Sequence, residues 1–434
     1  MGKILRKLNI LLDKKQKRIM LFLIVAMLIG AALELMGVGL IYEAASVIMD
    51  PDILESSETL VKVYDIFHME SMTQFSMLIM GALIGVFALK NAYLFFQNKL
   101  QFKFVYSNQF ATSRRMMINF MQRPYEYYLN ADTSVIQRSI TSDVNNMYGL
   151  ILSMLQLVSE MIVFVVLTLY CLSKDVVMTG TVAILLVVVL MVIKWILKPI
   201  MRKAGEENQD FYSGLYKWID QSVMGIKEIK VANKESYFIN EYCKCGAGYV
   251  NAVQRYNLYN ATPRLLIETV AIAGMILYMM IRIAQGTPVT EIMPQLTMLA
   301  VAAMRLIPSA NRINNYLTSI AYFEPFFMGV TDNLQDEIRD ESVNYDEEAY
   351  RKKKYVEKLP VKKEILLKDI TYKYPNSEVL IFDNATMRIP VGKSVGIVGT
   401  SGAGKTTVAD IMLGLLQLKF GGISAGGIEA GEHY

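Results

Sequence analysis

Long apolar segments alternate with polar and basic stretches from the N-terminus to about residue 310. Six segments are apolar enough for a membrane-spanning helix, which needs about 20 mostly apolar residues. The second and fourth contain no charged residue, whereas each of the others carries a glutamate or an arginine inside the apolar run. The pattern therefore predicts a multi-pass helical membrane domain. The predicted spans cover residues 19–49, 72–89, 144–173, 176–193, 265–281 and 292–310.

The charges between the spans predict the orientation of the chain. Seven Lys and Arg residues but only one acidic residue, Asp13, precede the first span, so this end is expected in the cytoplasm. The connection 50–70 is acidic and is expected outside, while the connections 97–143 and 194–263 are basic or polar and return inside. An even number of spans also leaves the C-terminus in the cytoplasm. The expected location is the cytoplasmic membrane, crossed several times.

Both cytoplasmic connections are long and show helical hydrophobic spacing with few helix breakers. We therefore expect membrane helices that continue into the cytoplasm and are joined in pairs at two tips. The first tip covers residues 124–133 and the second tip covers residues 222–234. An aromatic cluster on the first tip is either a docking surface or a patch that packs on itself, and its members are Tyr125, Tyr127 and Tyr128.

Composition agrees with a membrane protein and limits its partners. Charged residues make up 19% of the chain, below the roughly 25% of soluble domains. The three cysteines and two histidines do not have the spacing of a metal site, and they are read as reduced thiols and isolated imidazoles. The net charge is only +4, and we expect no nucleic-acid partner.

The last part of the chain has a different pattern. Residues 331–363 are rich in charged side chains and predict a linker or a solvated helix. Beyond them, residues 370–374 and 385–389 alternate like strands, and residues 394–398 form a short apolar run typical of a buried strand. Residues 407–416 have apolar positions at helical spacing, and residues 421–427 resemble a further strand and turn.

A glycine-rich loop lies between the predicted strand 394–398 and the predicted helix 407–416. Residues 399–406 read G-T-S-G-A-G-K-T, which matches the phosphate-binding loop G-x-x-x-x-G-K-[ST] in its required strand–loop–helix context. Glycines allow successive N–H groups to surround phosphate oxygens, and the helix N-terminus adds a positive dipole end. Lys405 is expected to contact the β- and γ-phosphates, and the Thr406 hydroxyl is expected to bind Mg²⁺.

Six spans, two long cytoplasmic connections, a charged linker and a phosphate-loop domain together resemble an ABC exporter half-transporter. Ser401 and Gly402 fit the narrower ABC form of the loop, and Tyr374 resembles the tyrosine that stacks on adenine in this family. The resemblance implies ATP and Mg²⁺ as cofactors, and a homodimer with ATP between two nucleotide domains. The implied nucleotide-binding residues are Tyr374, Gly399, Thr400, Ser401, Gly402, Ala403, Gly404, Lys405, Thr406 and Thr407, with Thr406 as the metal ligand.

Four segments of the membrane part also resemble bacterial flippases of lipid-linked oligosaccharides. They cover residues 139–144, 197–205, 263–265 and 302–312. The resemblance implies a membrane lipid bearing a saccharide as cargo. A peptide or drug exporter is the alternative within the same class.

Four basic residues in or at the ends of the spans are candidates for holding such a cargo. Charged side chains within a membrane are costly, and they usually face the bundle interior. Guanidinium groups bind phosphate oxygens with two parallel hydrogen bonds, which suits a pyrophosphate. The alternative is ion pairing with Glu34, Glu160 and Glu268, or placement at the membrane surface. The candidates are Lys90, Arg264, Arg305 and Arg312.

The predicted fold is an α-helical membrane domain of six spans followed by the N-terminal part of an α/β nucleotide-binding domain. The domains cover residues 1–330 and 364–434, with the linker 331–363 between them. The sequence after Lys405 contains no signature motif, no second carboxylate motif and no switch histidine, so no catalytic residue is assigned and no ATP hydrolysis is expected. This observation keeps open a membrane-anchored nucleotide-binding subunit without transport activity.

Overall fold

A computed structural model describes residues 2–49, 72–174, 176–286, 289–334, 361, 363–375, 377–426 and 428–429. The predicted outer connection and most of the predicted linker lie outside the described residues. The chain forms two compact units. The first contains residues 1–116 and 137–338, and the second contains residues 117–136 and 339–434.

Long helices form most of the chain. The longest has 51 residues and measures about 77 Å at 1.5 Å per residue, well over the roughly 30 Å of a bilayer core. It therefore extends beyond the membrane, as predicted. The helices are α1 (Gly2–Leu11), α2 (Lys14–Met49), α3 (Met72–Gln122), α4 (Tyr125–Tyr128), α5 (Thr133–Arg138), α6 (Val144–Lys174), α7 (Val176–Met224), α8 (Ile226–Ala232), α9 (Glu235–Ala284), α10 (Val289–Asn333) and α11 (Lys405–Met412).

Within the described residues, four helical stretches are long and apolar enough to cross a membrane. The predicted fourth and sixth spans fall in α7 and α10, where many side chains lie outside the described residues. The confirmed fold class is a helical membrane region followed by a partial nucleotide domain with a small sheet. The four stretches are Lys14–Gly37, Gln74–Gln122, Thr133–Tyr170 and Glu235–Ala284.

Apolar packing and one close backbone approach hold the first unit together. A buried cluster joins α6, α7, α9 and α10 through residues such as Leu167, Leu197 and Ile267. Farther along α7, a Cβ on Gly205 would lie 2.1 Å from the carbonyl oxygen of Tyr322 on α10, so only glycine permits this contact. The two helices are thereby fixed beside each other at this point.

A buried polar network joins the start of α6 to α7. The segment Ser139–Asp143 forms a π-helical turn, and Asp143 is buried. Its Oδ2 accepts hydrogen bonds from Arg138 Nε at 3.2 Å and Gln209 Nε2 at 2.9 Å. Arg138 Nη1 also donates to the Gln209 carbonyl at 2.8 Å. The buried charge is thus paired and hydrogen-bonded, which offsets the cost of burying it.

The second unit contains a four-stranded antiparallel sheet in the order β2-β1-β3-β4, with a helix packed on it. Side chains of β1 and α11 form its core, including Leu367, Ile370 and Ile411. The strand predicted at 385–389 is confirmed within β2, whereas the one predicted at 370–374 overlaps only the last three residues of β1, which begins at Glu364 and ends at Tyr372. The strands are β1 (Glu364–Tyr372), β2 (Phe382–Pro390), β3 (Phe420–Ala425) and β4 (Ile428–Glu429).

The buried strand predicted at residues 394–398 is wrong. The segment forms no strand, and Val398 is 92% exposed. An apolar run becomes a buried strand only where neighbouring strands satisfy its backbone hydrogen bonds. The described sheet pairs its four strands with one another and pairs none of them with this segment.

The first tip belongs to the second unit. Its short helix α4 places Glu126 Oε1 3.0 Å from the backbone nitrogen of Gln417, which donates to it. Leu129 packs against the core between the sheet and α11. The aromatic cluster also packs on itself, because the Tyr127 and Tyr128 rings meet edge to face at 5.3 Å. The tip therefore both docks on the nucleotide region and carries a self-packed patch.

Candidate functional site

The lysine of the phosphate-binding loop donates hydrogen bonds to backbone carbonyl groups of the same loop. Lys405 Nζ donates to the carbonyl oxygens of Gly399 at 2.9 Å and Thr400 at 2.6 Å. Gly402 and Gly404 have φ values of 84° and 82°, which glycine adopts readily. The ammonium group is thus placed at the loop that is expected to receive the phosphates.

The helix that follows the loop offers its first N–H groups to an anion. Gly404 is the N-cap of α11 and provides no side-chain acceptor for them. A Cβ at this position would lie 2.9 Å from Ile381 Cγ2 and from Phe382 Cζ, so the loop can approach β2 only with glycine here. The residues present fit a phosphate group, because open N–H donors, a helix N-terminus and an ammonium group occur together.

The three residues after Gly404 have different environments. Lys405 is half-buried, Thr406 is exposed and Thr407 is buried. The Thr407 hydroxyl lies 2.9 Å from the hydroxyl of Tyr374, so these two side chains are linked to each other. Of the two threonines, Thr406 is the exposed one, so its hydroxyl group is the one that a metal ion beside bound phosphates could reach.

Tyr374 packs against a second tyrosine that the sequence analysis did not single out. Its ring meets that of Tyr372 edge to face, with centroids 5.3 Å apart. Tyr372 is 1% exposed, and its hydroxyl has no hydrogen-bond partner within the described residues. Burial, with a further contribution from the charge of Glu126, raises the pKa of Tyr372 to about 12, so the phenol stays neutral. Glu126 and Tyr372 are far apart in the sequence and come together only in the folded chain, so sequence analysis could not pair them.

In the membrane unit, Lys90 of α3 is buried in an ion pair. Its Nζ lies 2.8 Å from Glu34 Oε2 on α2, and the two side chains are 5% and 14% exposed. The same ammonium is 4.5 Å from the centroid of the Phe87 ring. This geometry agrees with the alternative in which Lys90 forms an ion pair with a glutamate.

Arg312 of α10 is also paired but is far more accessible. Its Nη2 lies 2.8 Å from Glu160 Oε1 on α6, and its side chain is 52% exposed. Ser309 Oγ donates to the same oxygen at 2.5 Å. Of the other candidates, Arg264 is exposed on α9, and the side chain of Arg305 lies outside the described residues. Lys90 and Arg312 thus contact different glutamates on different helices.

Comparison with protein-family models gives two matches. The model of the ABC transporter transmembrane region matches residues 19–285, more than half of the chain. The chain belongs to the ABC transporter family. A second model, described as ABC transporter, matches residues 382–432 and includes the phosphate-binding loop. The half-transporter organisation expected from the sequence is confirmed, and the match to the ABC transporter model implies ATP binding by this ABC transporter.

Curated relatives extend the comparison. The Bartonella quintana beta-(1→2)glucan export ATP-binding/permease protein NdvA is 24% identical over 262 residues, 58% of this chain and 41% of the relative. A lipid A-core flippase of Dechloromonas aromatica is 21% identical over 348 residues, 80% of this chain and 57% of the relative. One from Photorhabdus laumondii is 35% identical over 79 residues, 18% of this chain and 14% of the relative. The ABC transporter described here thus spans less than two thirds of each relative.

Proposed function

We propose that this chain is a subunit of an ATP-driven exporter that moves a lipid-linked oligosaccharide or a related glycolipid across the cytoplasmic membrane. The observation that carries the proposal is the accessible guanidinium of Arg312 on a helix of the membrane unit. A pyrophosphate offers the guanidinium group several anionic oxygens for a bidentate contact, whereas a neutral drug offers no anionic group. Two of the relatives are named a glucan export protein and a lipid A-core flippase.

The cargo site is proposed around three arginines. Arg312 and Arg305 are seven residues apart on α10, two helical turns along nearly the same face. Arg264 is exposed on α9. Lys90 is assigned instead to pairing α2 with α3, because its ammonium is buried against Glu34. The arginines would orient the phosphate end of the lipid.

The nucleotide unit is proposed to supply the energy. Loop N–H groups and Lys405 would hold the β- and γ-phosphates, Thr406 would bind Mg²⁺ and Tyr374 would contact adenine. Bound Mg²⁺ neutralises charge on the phosphates. One chain carries one loop, so the working unit is proposed to be a homodimer. The first tip, through Glu126 and Leu129, would transmit movements of the nucleotide region to α3.

The test is a translocation assay in proteoliposomes that contain the full gene product, ATP and a fluorescent lipid-linked oligosaccharide. We expect Arg312→Ala to reduce the initial rate about tenfold or more, because a charge-assisted contact to phosphate is lost. Lys198→Ala removes an exposed cation on α7 and is the matched control, with an unchanged rate expected. Equal rates for Arg312→Ala and the unmutated protein would contradict the proposal, and transport of a peptide instead would favour the alternative cargo.

A further inference from the structure

Two side-chain donors of α10 converge on one carboxylate oxygen of Glu160 on α6. Glu160 Oε1 accepts hydrogen bonds from Arg312 Nη2 at 2.8 Å and from Ser309 Oγ at 2.5 Å. The environments of the two donors differ, because Ser309 is 1% exposed while the Arg312 side chain is 52% exposed. The Glu160 side chain is 13% exposed. The carboxylate is therefore held from inside by a serine and from outside by an arginine.

The two donors lie on one helix, three residues apart. Residues at this spacing share a face of a helix, so both Ser309 and Arg312 can reach Glu160 from α10. If the guanidinium turned away, the buried serine could keep its hydrogen bond to the carboxylate. A nearly buried carboxylate that keeps a hydrogen-bond donor costs less than one left with none.

We infer that Glu160 is a resting counter-ion of Arg312 that the anionic headgroup of the cargo displaces, while Ser309 retains the carboxylate. The inference rests on the proposed function, since it assumes that the cargo carries a phosphate or pyrophosphate. Before cargo binds, the pair keeps Arg312 neutralised and oriented. When cargo binds, the guanidinium exchanges one carboxylate oxygen for phosphate oxygens.

The exposure of the arginine makes this exchange feasible. The Arg312 side chain is 52% exposed, so another anion can reach the guanidinium group without repacking of the helices. A pyrophosphate offers the guanidinium fork a bidentate contact, which is stronger than the contact through Nη2 that Glu160 makes. The same competition favours release of the cargo, because Glu160 remains beside Arg312 and can form the ion pair with it again. Glu160 is thus assigned as a positioning residue that tunes cargo affinity.

A purely structural role for the pair makes a different prediction. If Glu160 only joins α6 to α10, removing its charge weakens the bundle and leaves cargo affinity the same or lower. If Glu160 competes with cargo, removing its charge raises cargo affinity through Arg312. The sign of the change in affinity therefore separates the two roles.

The test uses the purified full chain in detergent micelles and farnesyl pyrophosphate as the probe, with binding measured by isothermal titration calorimetry. We expect Glu160→Gln to bind the probe about two- to fivefold more tightly, the factor expected for loss of a half-exposed ion pair. Arg312→Ala should abolish most of the binding, and the double variant should bind as weakly as Arg312→Ala. Farnesol, which lacks the phosphates, should respond to none of these changes.

Two further variants make the result specific. Ser309→Ala leaves Arg312 as the donor from α10, so the pair should tighten and the probe should bind about twofold more weakly. Glu228→Gln removes an equal charge from an exposed position on α8, in the second tip, and should leave affinity unchanged. An unchanged or reduced affinity in Glu160→Gln, with Arg312→Ala still defective, would overturn the counter-ion role alone. Normal binding by Arg312→Ala would instead overturn the proposed cargo site.

Discussion

Two ion pairs in the membrane unit have the same length and different environments. The Lys90–Glu34 pair and the Arg312–Glu160 pair both join a cation to a glutamate oxygen over 2.8 Å. The two glutamates are almost equally covered, at 14% and 13% exposure. The cations differ tenfold, because the Lys90 side chain is 5% exposed and that of Arg312 is 52% exposed.

The comparison teaches that exposure of the cation, not the length of the contact, separates a structural pair from an exchangeable one. A buried ammonium that loses its partner has no water to replace it, so the pair must remain closed. A half-exposed guanidinium can be solvated or can bind another anion. The type of cation agrees with this division, since guanidinium is the more weakly hydrated group and the better phosphate ligand.

The largest expected effect comes from breaking the buried pair. Glu34→Gln leaves the Lys90 ammonium without its counter-charge, and we expect the free energy of unfolding to fall by about 3–5 kcal/mol. Unfolding by SDS in mixed micelles measures this change. Glu160→Gln is the matched variant, with an expected loss below about 1 kcal/mol. Similar losses in the two variants would show that cation exposure does not distinguish the pairs.

A rescue experiment sharpens this prediction. Replacing both members of a buried ion pair by apolar residues of similar volume is often neutral or stabilising. The double variant Glu34→Leu, Lys90→Met should therefore recover most of the stability that Glu34→Gln loses. Failure to recover it would indicate that Lys90 has a function beyond pairing α2 with α3, and the assignment of Lys90 to helix pairing would then be wrong.

The same reasoning extends to the nucleotide unit. Lys405 is held by two carbonyl groups of its own loop, contacts that a phosphate can replace. We expect Lys405→Ala to weaken binding of a fluorescent ATP analogue by about tenfold or more, the factor for a lost charged hydrogen bond, with little loss of stability. Lys393→Ala, an exposed cation shortly before the loop, is the control. Equal analogue affinity in the two variants would contradict the assigned role of Lys405.

Local patterns explain what the sequence predicted well. The apolar segments, the two tips and the glycine loop are each encoded within a few tens of residues, and the structure has helices α4 and α8 at the predicted tips. The predicted helix 407–416 was correct in type but begins at Lys405 and ends at Met412. Gly414, with φ of 71°, follows that end.

Long-range contacts explain what the sequence left open or missed. Arg312 and Glu160 are 152 positions apart, and Glu126 and Gln417 are 291 apart, so spacing along the chain does not pair them. Charge alone allowed each cation either to bind cargo or to pair with a glutamate. The two paired cations differ in exposure, and exposure depends on how the helices pack.

The smallest expected effect concerns a third ion pair, which is exposed on both sides. Arg202 Nε lies 3.0 Å from Glu206 Oε1 one turn along α7, and the side chains are 57% and 50% exposed. Both ends stay solvated, so we expect Arg202→Gln to change the free energy of unfolding by only about 0.3–0.5 kcal/mol. With Glu34→Gln and Glu160→Gln, this variant forms a series at nearly constant contact length. If SDS unfolding gave a loss for Arg202→Gln comparable to that for Glu34→Gln, cation exposure would not be the controlling variable, and the division into structural and exchangeable pairs would fail.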